Sequence, residues 1–214
     1  MSYLNALIMA LALLLPLVAE AAPAQASGPP TVIASAQADF DGDGRSETLE
    51  VVLLQGRRFQ DAEPWCGSGD KWEGAFVIRV RRGEALLDQR AWDELLYPHG
   101  NSREPAFFWA PLTLVSADYN GDGRPDFNLG AYGSCNANLY RLFTLTPQGR
   151  LAELPVGNGR TLAVSGAGHN NSTPLIRAEL GVLSHTYYDN TRGREITTRY
   201  RWQEGRFVRQ DGQK

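Results

Sequence analysis

Two stretches decide the fold class: residues 39–53 read DFDGDGRSETLEVVL, and residues 118–131 read DYNGDGRPDFNLGA. Each opens with acidic residues and glycines and then continues as an apolar run that alternates with period two, as β-strands do. We name the first nine residues of each stretch loop 1 (39–47) and loop 2 (118–126). The pattern predicts a tight loop that leads directly into a strand.

Both loops have oxygen-bearing side chains at positions 1, 3, 5 and 9 and glycine at position 6. Calcium takes about six to eight oxygen ligands, and a loop of this spacing supplies several of them, including the backbone carbonyl of position 7. We therefore expect each loop to hold one calcium ion as a cofactor. The predicted ligands are Asp39, Asp41, Asp43, Glu47 and the Arg45 carbonyl in loop 1, and Asp118, Asn120, Asp122, Asp126 and the Arg124 carbonyl in loop 2.

Two other interpretations of the loops are open. Asp-Gly and Asn-Gly are common hairpin turns, but ordinary turns do not explain repeated carboxylates that would repel one another without a cation. An EF-hand needs a helix after the loop and a glutamate at its twelfth position, where loop 2 has Leu129. Glu50 has that position after loop 1, and we interpret it as a solvent-facing neighbour.

The rest of the chain consists of short alternating segments between turns, such as 76–81 and 197–202, with one short helix predicted within 91–97. The loops begin 79 residues apart, and a fainter copy reads GNGR at 157–160. Since propeller blades run to about 40 residues, two blades fit that interval. We predict an all-β, small β-propeller-like domain of about four or five blades over residues 27–214.

The N-terminus has the features of an export signal. Residues 6–19 are apolar and uncharged, and AEA at 19–21 and AQA at 24–26 offer small residues for a signal peptidase. The first five residues lack the lysine or arginine that is typical there. The run is shorter than the roughly 20 residues of a membrane-spanning helix. We therefore predict a signal peptide and linker start at 1–26 and a periplasmic or secreted protein.

The chain has two cysteines, Cys66 and Cys135. An even number in an exported chain favours a disulfide, which would add about 4 kcal/mol of stability on the chain-entropy model. The alternative is two separate buried thiols.

The composition bears on the class of function. A net charge of −3 gives no support to nucleic-acid binding. No catalytic motif is present, and His99, His169 and His185 have no metal-ligand or triad spacing. We interpret the three histidines as surface or loop residues and expect a binding protein rather than an enzyme.

Large side chains in loops are candidates for binding a protein partner. They are Trp65, Trp72, Tyr132, Tyr187 and Tyr188. Tyrosine and tryptophan are enriched at interface hot spots. The alternative for each is packing in the core, because large aromatic side chains are well buried on average.

The two loops resemble the calcium loops of FG-GAP/VCBS-type repeats, which follow D-x-[DN]-x-D-G-x-x-[DE] and lead into a strand. That family builds β-propellers in extracellular adhesion and ligand-binding proteins. The segment between the loops, with Cys66 and Trp72, does not match its pattern.

The chain is also similar to small periplasmic β-propeller-like proteins that inhibit lysozyme-type peptidoglycan hydrolases, including immunity proteins. The shared features are the export signal, the size, the loop DYNGDGRPDF and the hairpin YRWQEGR at 200–206. This similarity implies inhibition of a lysozyme-like cell-wall hydrolase. The alternative is a generic calcium-dependent adhesion or ligand-binding module.

Overall fold

The computed structural model describes residues 29–64, 66–67, 69–96, 106–135, 137–165 and 170–210. Within these ranges the chain is all-β apart from one short helix, so the all-β class is confirmed. The propeller-like arrangement and its blade count stay predictions. The elements are β1 (Thr31–Ala38), β2 (Glu47–Gln60), β3 (Asp70–Arg82), β4 (Ala85–Ala91), α1 (Trp92–Leu96), β5 (Phe107–Trp109), β6 (Ser116–Ala117), β7 (Asp126–Ser134), β8 (Ala137–Leu145), β9 (Leu151–Leu154), β10 (Leu162–Ser165), β11 (Ile176–Glu179), β12 (Val182–Asp189), β13 (Arg194–Gln203) and β14 (Arg206–Gln210). The predicted signal peptide, Trp65, His99 and His169 lie outside the described residues.

The strands form three antiparallel sheets in the described part of the chain. Sheet A has the order β1-β2-β3-β4, with β5 beside β3. Sheet B has the order β10-β8-β7-β6, with β9 beside β8, and sheet C has the order β11-β12-β13-β14. Most neighbours along the chain pair as hairpins, because short turns that contain glycine separate them.

Each loop ends on the first residue of a strand. Glu47 opens β2 and Asp126 opens β7, so the predicted passage from loop to strand is confirmed. The solvent-facing position predicted for Glu50 is wrong. It pairs across the sheet with Arg79, which lies 3.8 Å from its carboxylate and leaves 16% of the Glu50 side chain exposed.

Two hydrophobic cores separate the sheets. The first lies between sheets A and B and includes Val51, Ile78, Trp92, Phe108, Leu129 and Phe143. The second lies between sheets B and C and includes Leu142, Leu154, Leu183 and Phe207. Strand β8 contributes to both cores, because its alternate side chains point to opposite faces of sheet B.

The loops are anchored by the aromatic residue at position 2. Phe40 of loop 1 is 1% exposed in the first core, where its ring meets Phe127 edge-on at 6.4 Å. Tyr119 of loop 2 is 1% exposed in the second core and accepts a 2.7 Å hydrogen bond from Asn128. Burial of one such ring stabilises the fold by about 1.5–3 kcal/mol. The same position thus fastens each loop to a different core.

In the described ranges no helix has the length and apolar character to cross a bilayer.

Candidate metal-binding loops and aromatic cluster

The two loops share one hydrogen-bond framework. In loop 1, Asp39 Oδ1 accepts from the Gly42 amide at 2.8 Å and Oδ2 accepts from the Gly44 amide at 3.0 Å. Asp118 accepts the matching pair of bonds in loop 2, at 2.7 and 3.0 Å. The first acid therefore closes each loop around itself, which requires glycines with φ between 76° and 86° at positions 4 and 6.

The acid at position 9 closes each loop from inside. Glu47 Oε2 accepts from the amides of Phe40 and Asp41 at 3.0 and 3.3 Å. Asp126 Oδ2 accepts from the corresponding amides of loop 2 at 2.8 and 3.2 Å. One carboxylate oxygen of each acid therefore binds the backbone, and the other remains for a cation or a hydrogen-bond donor. Both acids are 0% exposed, so water does not fill that place.

The donor set of loop 1 fits a hard cation. Oxygen atoms of Asp39, Asp41 and Asp43 all lie within 4.8 Å of one another. Calcium prefers such clusters of carboxylate oxygens. The fit is to a cation of this class, and the choice of calcium rests on the loop pattern.

Loop 2 has a different donor set because Asn120 replaces an acid. Its Oδ1 accepts from the Asp122 amide at 2.9 Å, and its amide nitrogen donates to Asp122 Oδ2 at 3.1 Å. Burial raises the pKa of Asp126 to about 6, although the Thr144 hydroxyl opposes the rise. In the described structure no donor meets Asp126 Oδ1 with ordinary hydrogen-bond geometry. A buried carboxylate oxygen of this kind is suited to coordinate a cation.

The arginine at position 7 has more contacts than its predicted carbonyl role requires. Arg45 pairs with Asp43 at 2.6 Å and holds the pKa of that carboxyl below its ordinary value. Arg124 pairs with Asp122 at 2.5 Å and also donates to the carbonyls of Leu145 and Asp41, at 3.1 and 3.5 Å. The side chain of Arg124 therefore joins loop 2 to loop 1.

Sequence reasoning missed one residue at loop 1. Arg82, the last residue of β3, donates from Nε to Glu47 at 2.8 Å and from Nη2 to Asp41 at 2.7 Å. Its Nη2 also lies 3.1 Å from Asp43. Only the strand register could have revealed this neighbour, because Arg82 is far from loop 1 along the chain.

The two cysteines come together at one hydroxyl group. Cys66 donates to Tyr132 Oη at 3.7 Å, and Cys135 lies 3.8 Å from the same oxygen. The structure has no disulfide between the two sulfur atoms. Burial raises the pKa of the Cys66 thiol, and its hydrogen bond with Cys135 raises it further. The predicted pair is therefore adjacent, which excludes two separately buried thiols, and the disulfide itself stays a prediction.

Tyr132 belongs to an aromatic cluster, which we define as Phe107, Trp109 and Tyr132. Its ring lies 6.1 Å from Phe107 and 6.0 Å from Trp109, and the latter two rings are 5.1 Å apart. The Lys71 ammonium lies 5.5 Å from the Phe107 ring and 3.3 Å from Asp61. Phe107 and Trp109 were missed because they sit in a short apolar segment typical of a core strand.

Among the predicted partner-binding residues that the structure describes, Trp72, Tyr187 and Tyr188 are not brought to this cluster. Trp72 packs against the first core, where the Arg58 guanidinium lies 5.4 Å from its ring. Tyr187 and Tyr188 lie on β12 of sheet C, where Tyr188 is 54% exposed. Core packing is therefore the better interpretation of Trp72.

The surface or loop position expected for His185 is wrong. It is 7% exposed, lies in β12 on the face of the buried Leu183, and stacks on Tyr187 at 5.7 Å. The alternation of β12 turns this side chain inward, and burial lowers the pKa of His185.

Comparison with known proteins adds no assignment: no family model, no curated protein and no solved structure matches the chain.

Proposed function

We propose that this is an exported calcium-binding protein that inhibits a lysozyme-like cell-wall hydrolase by binding to it. The observation that carries the proposal is the convergence at Tyr132. The β2–β3 connection at Cys66, strand β5 at Phe107 and the β7–β8 connection at Cys135 meet there, and the aromatic cluster has a lysine beside it. Rigid aromatic side chains on a β-scaffold are typical of binding hot spots.

The chemistry of the proposed target agrees with this surface. Lysozyme-like hydrolases act with two carboxyl groups on either side of the sugar chain, in a cleft. An inhibitor needs a projecting surface with apolar area and some positive charge to meet such a cleft. The half-buried rings of Phe107 and Tyr132 supply the apolar area, with the buried Trp109 behind them. Lys71, which also pairs with Asp61, supplies the positive charge. The aromatic cluster also borders a cavity of about 460 Å³ that Trp109, Leu112 and Asn171 help to line.

In this proposal calcium has a structural role. A cation in each loop would neutralise the crowded acids and hold the chain where it enters β2 and β7. The ligands are those predicted for loops 1 and 2. A Cys66–Cys135 disulfide, permitted by the exported location, would fix the two segments beside Tyr132.

The three antiparallel sheets support a propeller-like arrangement as the scaffold. The count of about four or five blades stays a prediction from the repeat interval. The periplasm, where peptidoglycan is exposed, is the compartment that the proposed inhibitor requires.

The test is to mix the mature chain, residues 27–214, with lysozymes and with cell-wall hydrolases encoded beside its gene. We expect a stable complex with one of them and loss of its lytic activity. Tyr132→Ala should weaken the complex at least tenfold, because truncation of a hot-spot aromatic costs about 2 kcal/mol or more. Ile176→Ala, at a site 67% exposed on the edge of sheet C, is the matched control and should leave the affinity unchanged.

The rival function is a calcium-dependent adhesion or ligand-binding module, for which the twin loops alone are the support. Absence of a complex with any hydrolase would favour this rival. A complex that Tyr188→Ala breaks and Tyr132→Ala spares would instead move the binding surface to sheet C.

A further inference from the structure

The strand register gives the two loops different cross-strand neighbours. Thr48 pairs with Arg81, so Glu47 at the end of loop 1 lies opposite Arg82. Phe127 pairs with Phe143 in sheet B, so Asp126 at the end of loop 2 lies opposite Thr144. The same place beside each loop therefore carries a positive charge in sheet A and a neutral hydroxyl in sheet B.

Arg82 engages most of the acids of loop 1. Its Nη2 lies 2.7 Å from Asp41, 3.1 Å from Asp43 and 2.7 Å from Glu47. The side chains of Asp41 and Glu47 are 1% and 0% exposed, so water solvates neither carboxylate. A planar guanidinium with several donors is well suited to bridge carboxylates in this way.

We propose that Arg82 is a tethered cation that competes with calcium for loop 1, and that loop 2 is therefore the tighter calcium site. The inference rests on the calcium binding proposed above and assigns the two loops different affinities. Calcium at loop 1 would need oxygens of Asp41 and Asp43 that the guanidinium already engages. It would also stand within a few ångströms of a positive charge, because both cations would share these ligands.

Loop 2 has no such competitor in the described structure. Arg124 pairs with Asp122 as Arg45 pairs with Asp43, so an ion pair between positions 5 and 7 is common to both loops. The further contacts of Arg124 are with backbone carbonyls of Leu145 and Asp41. Thr144 is uncharged, and its hydroxyl can accept or donate a hydrogen bond. The two sites thus differ in the exchange of Arg82 for Thr144 and in the acid that Asn120 replaces in loop 2. We expect the full positive charge of Arg82 to outweigh the one carboxylate that loop 2 lacks.

The experiment measures each loop alone by calorimetric titration with calcium chloride. Asp118→Asn with Asp122→Asn disables loop 2, and in this background we expect Arg82→Thr to tighten calcium binding by loop 1 at least tenfold. Arg79→Thr removes the same charge from the same strand, where Arg79 pairs with Glu50 outside the loop. This control should change the affinity less than threefold.

The reciprocal exchange tests loop 2. With Asp39→Asn and Asp43→Asn disabling loop 1, Thr144→Arg should weaken calcium binding at least tenfold. Thr144→Val removes the hydroxyl without adding charge and should change the affinity less than threefold. Thr144 is 8% exposed, so circular dichroism must first show that the arginine variant is folded. If it is not, the Arg82→Thr result decides the inference alone.

A second measurement shows whether Arg82 stabilises loop 1 in the absence of calcium. In EDTA, Arg82→Thr should melt at a lower temperature than the wild type, because the loop 1 acids lose their cation. Added calcium should restore the melting temperature. Suppose that Arg82→Thr leaves calcium binding by loop 1 unchanged or weaker, while the variant with loop 1 disabled still binds calcium at loop 2. This result would overturn the present inference alone. No calcium binding by either loop in any variant would overturn the proposed calcium role as well.

Discussion

Loop 1 and loop 2 have almost the same sequence and the same internal hydrogen bonds, and yet they meet different surroundings. In loop 1, Arg82 contacts the buried acids Asp41 and Glu47. In loop 2, the buried Asp126 faces Thr144 and has no comparable cation in the described structure. The comparison teaches that the spacing of acids predicts where a cation can bind. The strand opposite the loop decides whether a side chain of the protein already neutralises those acids.

The loops also differ in what holds them from outside. Loop 1 packs its Phe40 into the core between sheets A and B. Loop 2 lies between loop 1 and the β11–β12 turn. Its Arg124 donates to a carbonyl of loop 1, and its Gly121 lies against Gly181 of the turn. Loop 2 is therefore the more enclosed of the two, and substitutions in it disturb two neighbours at once.

The largest contrast is expected at position 9. With EDTA present, Glu47→Ala should lower the free energy of unfolding by about 3–5 kcal/mol, because it breaks the buried ion pair with Arg82 and leaves two backbone amides unpaired. Arg82 then keeps only Asp41 and Asp43. Asp126→Ala should cost about 1–3 kcal/mol, because it orphans two amides but breaks no ion pair. Urea denaturation measures both. Glu84→Ala, fully exposed, is the control, and equal losses in the two loops would contradict the contrast.

A smaller effect is expected at position 4 of each loop. A Cβ at Gly121 would lie 2.9 Å from the backbone nitrogen of Gly181, which cannot move freely. A Cβ at Gly42 would lie 2.7 Å from Cδ of Arg124, a flexible side chain. We expect Gly121→Ala to lower the free energy of unfolding by about 2–3 kcal/mol, from left-handed strain plus the clash.

The controls for this prediction are Gly44→Ala and Gly123→Ala. Both positions have positive φ but nothing within 4 Å of a built Cβ, so they report the strain alone, about 1–2 kcal/mol. Gly42→Ala should resemble them, since Arg124 can rotate away. If Gly121→Ala and Gly123→Ala have equal denaturation midpoints, the β11–β12 turn moves away from the added Cβ and the predicted clash is contradicted.

The smallest effect is expected from Asn120→Asp, which gives loop 2 the acid that loop 1 has. In EDTA it should lower the free energy of unfolding by about 1 kcal/mol, because a hydrogen bond to Asp122 becomes a repulsion between like charges. It should also tighten calcium binding by loop 2 severalfold, since affinity rises with ligand charge. Calcium titration measures the second effect, and weaker binding would contradict it.

Much of the site was predictable from local patterns. The spacing of acids and glycines predicted loops that end where strands begin, and the structure places Glu47 and Asp126 at those starts. The cysteine count predicted a Cys66–Cys135 disulfide, and the structure places both sulfur atoms beside the Tyr132 hydroxyl without that bond. Phe107 and Trp109 could not be predicted as partners of Tyr132, because they reach it from a different sheet.

The sequence by itself determined the period-two strands, the turns and the spacing of oxygen-bearing side chains in each loop, because these depend on residues a few positions apart. The tertiary structure decided that Arg82 neutralises loop 1, that Thr144 faces loop 2, and that His185 is buried. These depend on register and on the packing of sheets. Contacts between distant residues are set by the burial of the whole chain, which no single segment encodes.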